Sequence, residues 1–303
     1  MNILVIGGGT SSERPVSLRS AQAVYDALET NSLNIVDIYD WDGTEEWLNR
    51  EVKKYDVVFP VLHGEGGEDG KIQRILERNK VAFVGTDSLR SAECINKTAT
   101  KNILRKHGIR VPKGQVVTYQ QYIAHDLYNK AHVLKPVIGG SSIDTFIFPE
   151  LSSRVDADIT KAFEVHHTLL VEEYITGIEI TVPILVDKKL PIIEIIPPKN
   201  ATFDYANKYN GKTQELCPAV HLSKDQQNEA YDIAKSVHSV MGCRHLSRTD
   251  MIVQNNEIVV LEINTMPGFT SQSLFPRAAA VFGFNMQDLT MYLVQLAYEG
   301  SNE

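Results

Sequence analysis

Three side chains near the carboxyl end of the chain, Asp250, Glu262 and Asn264, present oxygen donors at spacings that bring them together. Asn255-Asn256 is a turn signal between two apolar runs and predicts a hairpin. Such a hairpin sets Asp250 across from Leu261 or Glu262, depending on loop length. Glu262 and Asn264 are two residues apart and share one strand face. Hard oxygen donors without soft ligands suit magnesium, which bridges a polyphosphate and neutralises developing charge. The plainer alternative is a solvent-facing hairpin. Against it, Glu262 and Asn264 interrupt an apolar stretch, and a buried carboxylate needs a partner. Arg248 shares the face of Asp250. It would hold a transferring phosphoryl group or an oxyanion, or form a structural ion pair.

A second group surrounds Lys135-Pro-Val-Ile-Gly-Gly-Ser-Ser142. Gly139 and Gly140 let backbone close around a phosphate, and Ser141 and Ser142 add donors. The spacing is neither GxxxxGK[ST] nor a dinucleotide fingerprint, and alone it fits a plain turn equally well. Lys135, at a strand end, would act as a point charge on phosphate oxygens. Lys97, in a helical stretch over 92–107, is a candidate for the same work. In the connection 171–179, Glu179 would accept from ribose hydroxyls, and Glu172 or nearby backbone would meet an adenine amino group. Surface acids on a linker are the alternative. Glu13 and His63 each follow an N-terminal strand beside a glycine-rich loop, where such folds place binding groups. Glu13 suits a substrate ammonium; His63 suits a carboxylate or a proton transfer. The polar stretch 201–217 reads as a lid that excludes water, or as a surface excursion. No GxSxG elbow occurs, and the other histidines form no ligand spacing.

The elements that must position these groups fall into three sections. Residues 1–90 alternate short apolar strands (2–6, 35–39, 55–62, 81–84) with helices (18–28 after a Ser17 N-cap, and 71–79), which predicts a mostly parallel sheet. Residues 91–178 suggest a small α+β domain with an antiparallel sheet, including helices over 92–107, 120–129 and 157–167. Residues 179–303 hold a β-rich run, the polar stretch 197–218, a helix over 225–241, the hairpin and two closing helices. The chain has 303 residues, 43% of them hydrophobic, which suffices for several domains. A net charge of −8 argues against a nucleic-acid surface. No apolar run reaches membrane-spanning length, and the first residues do not read as a signal peptide. Three widely spaced cysteines suit a reducing cytoplasm.

Six stretches in order resemble the D-alanine–D-alanine ligases, a branch of the ATP-grasp family. They are Gly8-Gly-Thr-Ser-Ser-Glu-Arg-Pro-Val-Ser17, His63-Gly-Glu-Gly-Gly-Glu-Asp-Gly70, Lys135 to Ser142, Phe203-Asp-Tyr-Ala-Asn-Lys-Tyr209, Ser247-Arg-Thr-Asp250, and Leu261-Glu-Ile-Asn-Thr-Met-Pro-Gly-Phe-Thr-Ser-Gln-Ser-Leu274. The resemblance implies a three-domain fold, with a Rossmann-like parallel sheet first and ATP clasped between the central and C-terminal domains. It implies that Lys97, Lys135, Ser142 and Lys208 contact ATP phosphates, and that Glu172 and Glu179 hold adenine and ribose. Asp250, Glu262 and Asn264 would carry two Mg²⁺ ions, with Mn²⁺ as a substitute. Glu13 would anchor the first D-alanine, with His63 near that subsite. Arg248 and the Gly268 amide would form an oxyanion hole, and Ser273 and Leu274 would bind the second D-alanine. Glu13, Ser141 and Tyr209 match a hydrogen-bonded trio linking substrate, loop and lid. The implied reaction passes through a D-alanyl phosphate to D-alanyl-D-alanine, for peptidoglycan precursors, in a homodimer. Two departures stand out: Asp144 where the family has glycine, and Val137-Ile138-Gly139 where polar residues are common. The alternatives are another carboxylate–amine ligase, including one using D-lactate, and a non-enzymatic scaffold.

Overall fold

The computed structural model describes residues 1–140, 144–150, 156–186, 188–198 and 213–300. Its first sheet is parallel, in the order β2 (Ile35–Trp41), β1 (Asn2–Gly8), β3 (Val57–Pro60), β4 (Ala82–Phe83). Ile3 to Ile6 are fully buried because both faces of β1 are covered. Ile3 and Val5 enter one apolar cluster, Leu4 and Ile6 another, as the two-residue period of a strand requires.

Helix α1 spans Arg14–Glu29, so it begins three residues before the predicted Ser17 cap. Pro15 is the reason: its fixed φ suits the first helical turn. Ser17 lies inside the helix and ties elements together. Its hydroxyl donates to the Val61 carbonyl at 2.7 Å and accepts from the Gly8 amide at 3.0 Å. Helices α2 (Glu46–Glu51) and α3 (Lys71–Arg78) follow.

The predicted helix over 92–107 is two helices, α4 (Ser88–Ile95) and α5 (Lys97–Lys106). Asn96 breaks it: with ψ at 99° it leaves the helical region, and its side chain caps the Thr98 and Ala99 amides. Lys97 thereby becomes the first residue of a new helix. The second sheet is antiparallel, β5 (Gly114–Val117), β8 (Leu169–Glu173), β6 (His132–Lys135), β7 (Phe146–Phe148). The helix expected over 120–129 is only α6 (Tyr119–Ile123), started by a Thr118–Gln121 capping box. Helix α7 (Asp156–His166) covers the sheet through Ile159, Ala162 and Phe163.

The third sheet, also antiparallel, runs β11 (Gln214–Leu216), β10 (Ile193–Ile196), β9 (Ile178–Leu185), β12 (Leu246–Gln254), β13 (Glu257–Asn264). Helix α8 (Lys224–Val240) packs on it through Ala230, Ala234 and Val237. After α9 (Leu274–Phe282), helix α10 (Met286–Gly300) returns to the first sheet. Leu289, Leu293, Val294 and Ala297 join Ile3, Val5, Val57 and Phe59 in one core. No helix among the described residues is long and apolar enough to cross a membrane.

Two partly buried histidines bracket the junction of α8 and β12. His238 shares a 2.7 Å hydrogen bond with the Ser247 hydroxyl, and His245 Nδ1 accepts from the Gly85 amide at 3.0 Å. Burial pushes each pKa down to about 4, with Arg244 and then His238 adding to the effect at His245. Below an ordinary histidine pKa of about 6.5 the unfolded chain takes protons that the folded one refuses. Stability is therefore full above that value and falls as pH drops toward 4. Denaturant titrations at pH 7 and 4.5 should show this, by up to about 3 kcal/mol per histidine. His245→Asn, which tolerates the local φ of 51°, should flatten the fall.

Candidate active site

Two cavities, of about 830 and 650 Å³, meet at Lys97, Gly139, Gly140 and Glu262, which line both. The smaller holds Lys135, Glu172, Glu179 and Asp250. The larger holds Glu13, His63, Arg248, Asn264, Gly268, Ser273 and Leu274. Residues scattered over 260 positions thus fall into two adjoining chambers.

At the junction, Lys97 Nζ donates to the Gly139 carbonyl at 2.6 Å and lies 4.0 Å from Glu262 Oε2. Its own amide donates to the Val137 carbonyl at 2.9 Å, so the start of α5 is docked on the glycine loop. Burial lowers the Lys97 pKa, and Glu262 opposes the shift. In the wall of the smaller cavity, Glu172 is 2% exposed. Lys101 pairs with one carboxylate oxygen, and Lys135 Nζ lies 3.0 Å from the other. Burial alone would raise the Glu172 carboxyl; Lys135 and then Lys101 outweigh it and hold it below the usual carboxylate range.

The hairpin register resolves the alternative left by the sequence. Met251 faces Val260, but a bulge at the next step makes Leu261 the extra residue and sets Asp250 opposite Glu262. Arg248 faces Asn264. Arg248 Nε and Nη2 donate to the two Asp250 oxygens, each at 3.0 Å. Thr181, on the neighbouring strand β9, donates to Asp250 Oδ1 at 2.5 Å. Burial works against the Arg248 charge, but Asp250 beside it raises the pKa overall. The donor set suits magnesium. Glu262 lines both cavities, Asp250 the smaller and Asn264 the larger, where its amide oxygen accepts from the Met266 amide at 2.8 Å, so two carboxylates and an amide oxygen flank the junction. Among the described residues no three histidine, cysteine, aspartate or glutamate side chains group closely enough to hold a metal ion by themselves.

In the larger cavity, Glu13 lies at the start of α1, 9% exposed, and His63 follows β3, 6% exposed. Ser20 joins two parts of the wall. Its hydroxyl shares a 3.3 Å hydrogen bond with His63 Nε2 and accepts from the Phe269 amide at 3.3 Å. A Cβ at Gly268 would stand 2.7 Å from Ser273 Oγ, so only glycine leaves that hydroxyl in place. Ser273 Oγ also accepts from the Thr270 amide at 3.1 Å.

Asp144 lines neither cavity. Its φ is 51°, the left-handed region that favours glycine, and Oδ2 lies 2.7 Å from His166 Nε2 on α7. The carboxylate whose proximity to phosphate would be unfavourable is thus held by a histidine. Ser141, Ser142, Lys208 and Tyr209 lie outside the described residues, as does most of the predicted lid.

Residues 41–86 match the family described as D-ala D-ala ligase N-terminus, and residues 103–295 match D-ala D-ala ligase C-terminus. The chain belongs to the D-alanine–D-alanine ligase family. The ligase is 38% identical over 299 residues to D-alanine–D-alanine ligase of Methylacidiphilum infernorum, covering 98% of this chain and 95% of that one. It is 36% identical to that of Syntrophobacter fumaroxidans, covering 99% and 98%. Among solved structures it is similar to D-alanine–D-alanine ligase from Bacillus anthracis complexed with ATP, with a TM-score of 0.84 at 28% identity over 100% and 98% of the chains. It is also similar to VanG D-Ala:D-Ser ligase from Enterococcus faecalis, with a TM-score of 0.80 at 30% identity over 98% and 99%. The fold is that of these ligases, an ATP-grasp arrangement of one parallel and two antiparallel sheets.

Four further residues of the ligase site went unassigned from the sequence. Lys101 had a signal, since it lies four residues after Lys97 and shares its helix face. Glu68 belongs to the His63 stretch; its carboxylate and that of Glu13 flank Gly140, 3.2 and 3.5 Å from where a Cβ would stand. Thr181 reaches Asp250 across a strand pairing that its own neighbourhood does not announce. Glu215, in the larger cavity, is held by Arg277 of α9.

Proposed function

We propose that this ligase joins two D-alanine molecules to D-alanyl-D-alanine with conversion of ATP to ADP and phosphate. The observation that carries the reading is the meeting of the two cavities at Lys97, Gly139, Gly140 and Glu262. The smaller cavity, with its buried cations and carboxylates, receives ATP. The larger receives the two amino acids. Glu13 takes the ammonium of the first D-alanine, and His63, held by Ser20, lies beside it. The γ-phosphoryl group passes to its carboxylate, giving an acyl phosphate. Carboxylates are poor electrophiles, and this step supplies the leaving group. The amine of the second D-alanine, held by Ser273 and Leu274, then attacks, and phosphate leaves. Arg248 and the Gly268 amide stabilise the developing oxyanion. Lys97 and Lys135 hold the phosphates, and Glu179 the ribose. Asp250, Glu262 and Asn264 would hold magnesium, which supplies charge neutralisation between two anions. In this reading the domains divide near residues 90 and 178, Ser141, Ser142, Lys208 and Tyr209 complete the site, and the ligase is a homodimer.

A second reading, with D-serine as the second substrate, is favoured by the similarity to the D-Ala:D-Ser ligase. The test is magnesium-dependent ADP release with D-alanine alone, with D-alanine plus D-serine, and with D-alanine plus D-lactate, each product identified by mass. D-alanyl-D-alanine from D-alanine alone is expected. ADP release that required another partner would overturn the assignment.

A further inference from the structure

Helix α5 sends two lysines to the nucleotide side of the cleft from one face, Lys97 to the glycine loop and Lys101 to Glu172. Lys101 differs from the other cations there, because it lines neither cavity. It stands behind Glu172, 2% exposed, and pairs with Oε1 while Lys135 holds Oε2. Burying an ammonium group out of reach of the cleft is costly, and a neutral side chain of similar length would fill the space. The ion pair instead acts on the cavity wall. A glutamate side chain has three rotatable bonds, and clamping its two oxygens from two directions fixes the carboxylate. Fixing Glu172 also fixes Lys135, which lines the cavity itself.

We propose that Lys101 is a positioning residue for the nucleotide: from behind the wall it locks Glu172, and through Glu172 it locks Lys135, in the arrangement that receives ATP. The proposal rests on the assignment of the smaller cavity to ATP. Lys101 touches no substrate, so its removal loosens nucleotide binding and leaves the amino-acid subsites alone.

The test uses Lys101→Met in the full chain, with ADP affinity measured directly by calorimetry in the absence of amino acids. ADP affinity should fall at least tenfold, with a parallel rise in KM for ATP, while KM for D-alanine stays within about threefold. Because Lys101 acts through Glu172, Lys101→Met should add little in a Glu172→Gln background, giving strongly non-additive effects. If Lys101→Met does not fold, the charge-keeping Lys101→Arg carries the same readout, with a smaller loss expected. Unchanged ADP affinity, additive effects, or an equal loss across ADP, D-alanine and kcat would overturn the proposal. A wild-type chain that binds ADP but makes no dipeptide would instead overturn the substrate assignment and leave this measurement valid.

Discussion

Glu262→Gln should lower magnesium-dependent ADP release at saturating D-alanine by roughly a thousandfold. Glu262 lines both cavities and stands opposite Asp250, where the phosphate and the amino-acid carboxylate would meet. Bringing two anions together there requires neutralisation, and a metal held by this carboxylate is worth several kcal/mol; about 4 kcal/mol corresponds to that factor. Glutamine keeps the length and one oxygen but not the charge. The side chain is 40% exposed, so folding should be little affected, and the thermal midpoint should stay close to that of the wild type. A variant that retained more than a tenth of the wild-type rate would remove Glu262 from the metal site. Asp250→Asn should be smaller in effect, since Arg248 and Thr181 share that carboxylate.

Glu172→Ala should cost about 3–5 kcal/mol of stability, the penalty for leaving buried charge without a partner. Lys101 and Lys135 are both buried and both depend on this carboxylate. Lys101 already feels the burial, which, with Lys135 adding, lowers its pKa to about 7 against the pull of Glu172. Removing Glu172 takes away the pull that keeps Lys101 protonated and leaves the Lys135 charge buried without its carboxylate. Urea unfolding at pH 7 would measure the loss. The sign with pH follows from the lowered Glu172 pKa. Its contribution is present above the ordinary glutamate value of about 4.3 and is lost as pH falls through the lower folded value. The gap between wild type and variant should therefore narrow in acid. A loss under 1 kcal/mol at pH 7 would mean that the two lysines find other partners.

These expectations separate what local sequence carries from what it does not. The hairpin was legible because its signals are local: a turn-forming pair, two apolar runs, and a two-residue period that puts Glu262 and Asn264 on one face. The glycine loops, the lysine at the end of β6 and the six family stretches were legible for the same reason. Ser17 misled because a serine before an apolar helix looks like a cap, whereas Pro15 starts the helix earlier and leaves the hydroxyl to bind β1 and the end of β3. Asn96 looked like one more helical residue until its side chain was seen capping α5.

Local patterning specifies the oxygen-rich hairpin and the family. How the distant groups meet depends on packing across the whole chain. Asp250 faces Glu262 rather than Leu261 because β12 is held between β9 and β13 and the ladder yields at one bulge. Lys101 is an active-site neighbour rather than a solvated helix residue because β8 brings Glu172 against it from 71 positions away. Helix α10 closes the first sheet because its apolar stripe finds β1 and β3, roughly 230 to 290 residues earlier in the chain. Burial and charge pairing between distant segments depend on how the whole chain packs, and no window of neighbouring residues contains that information.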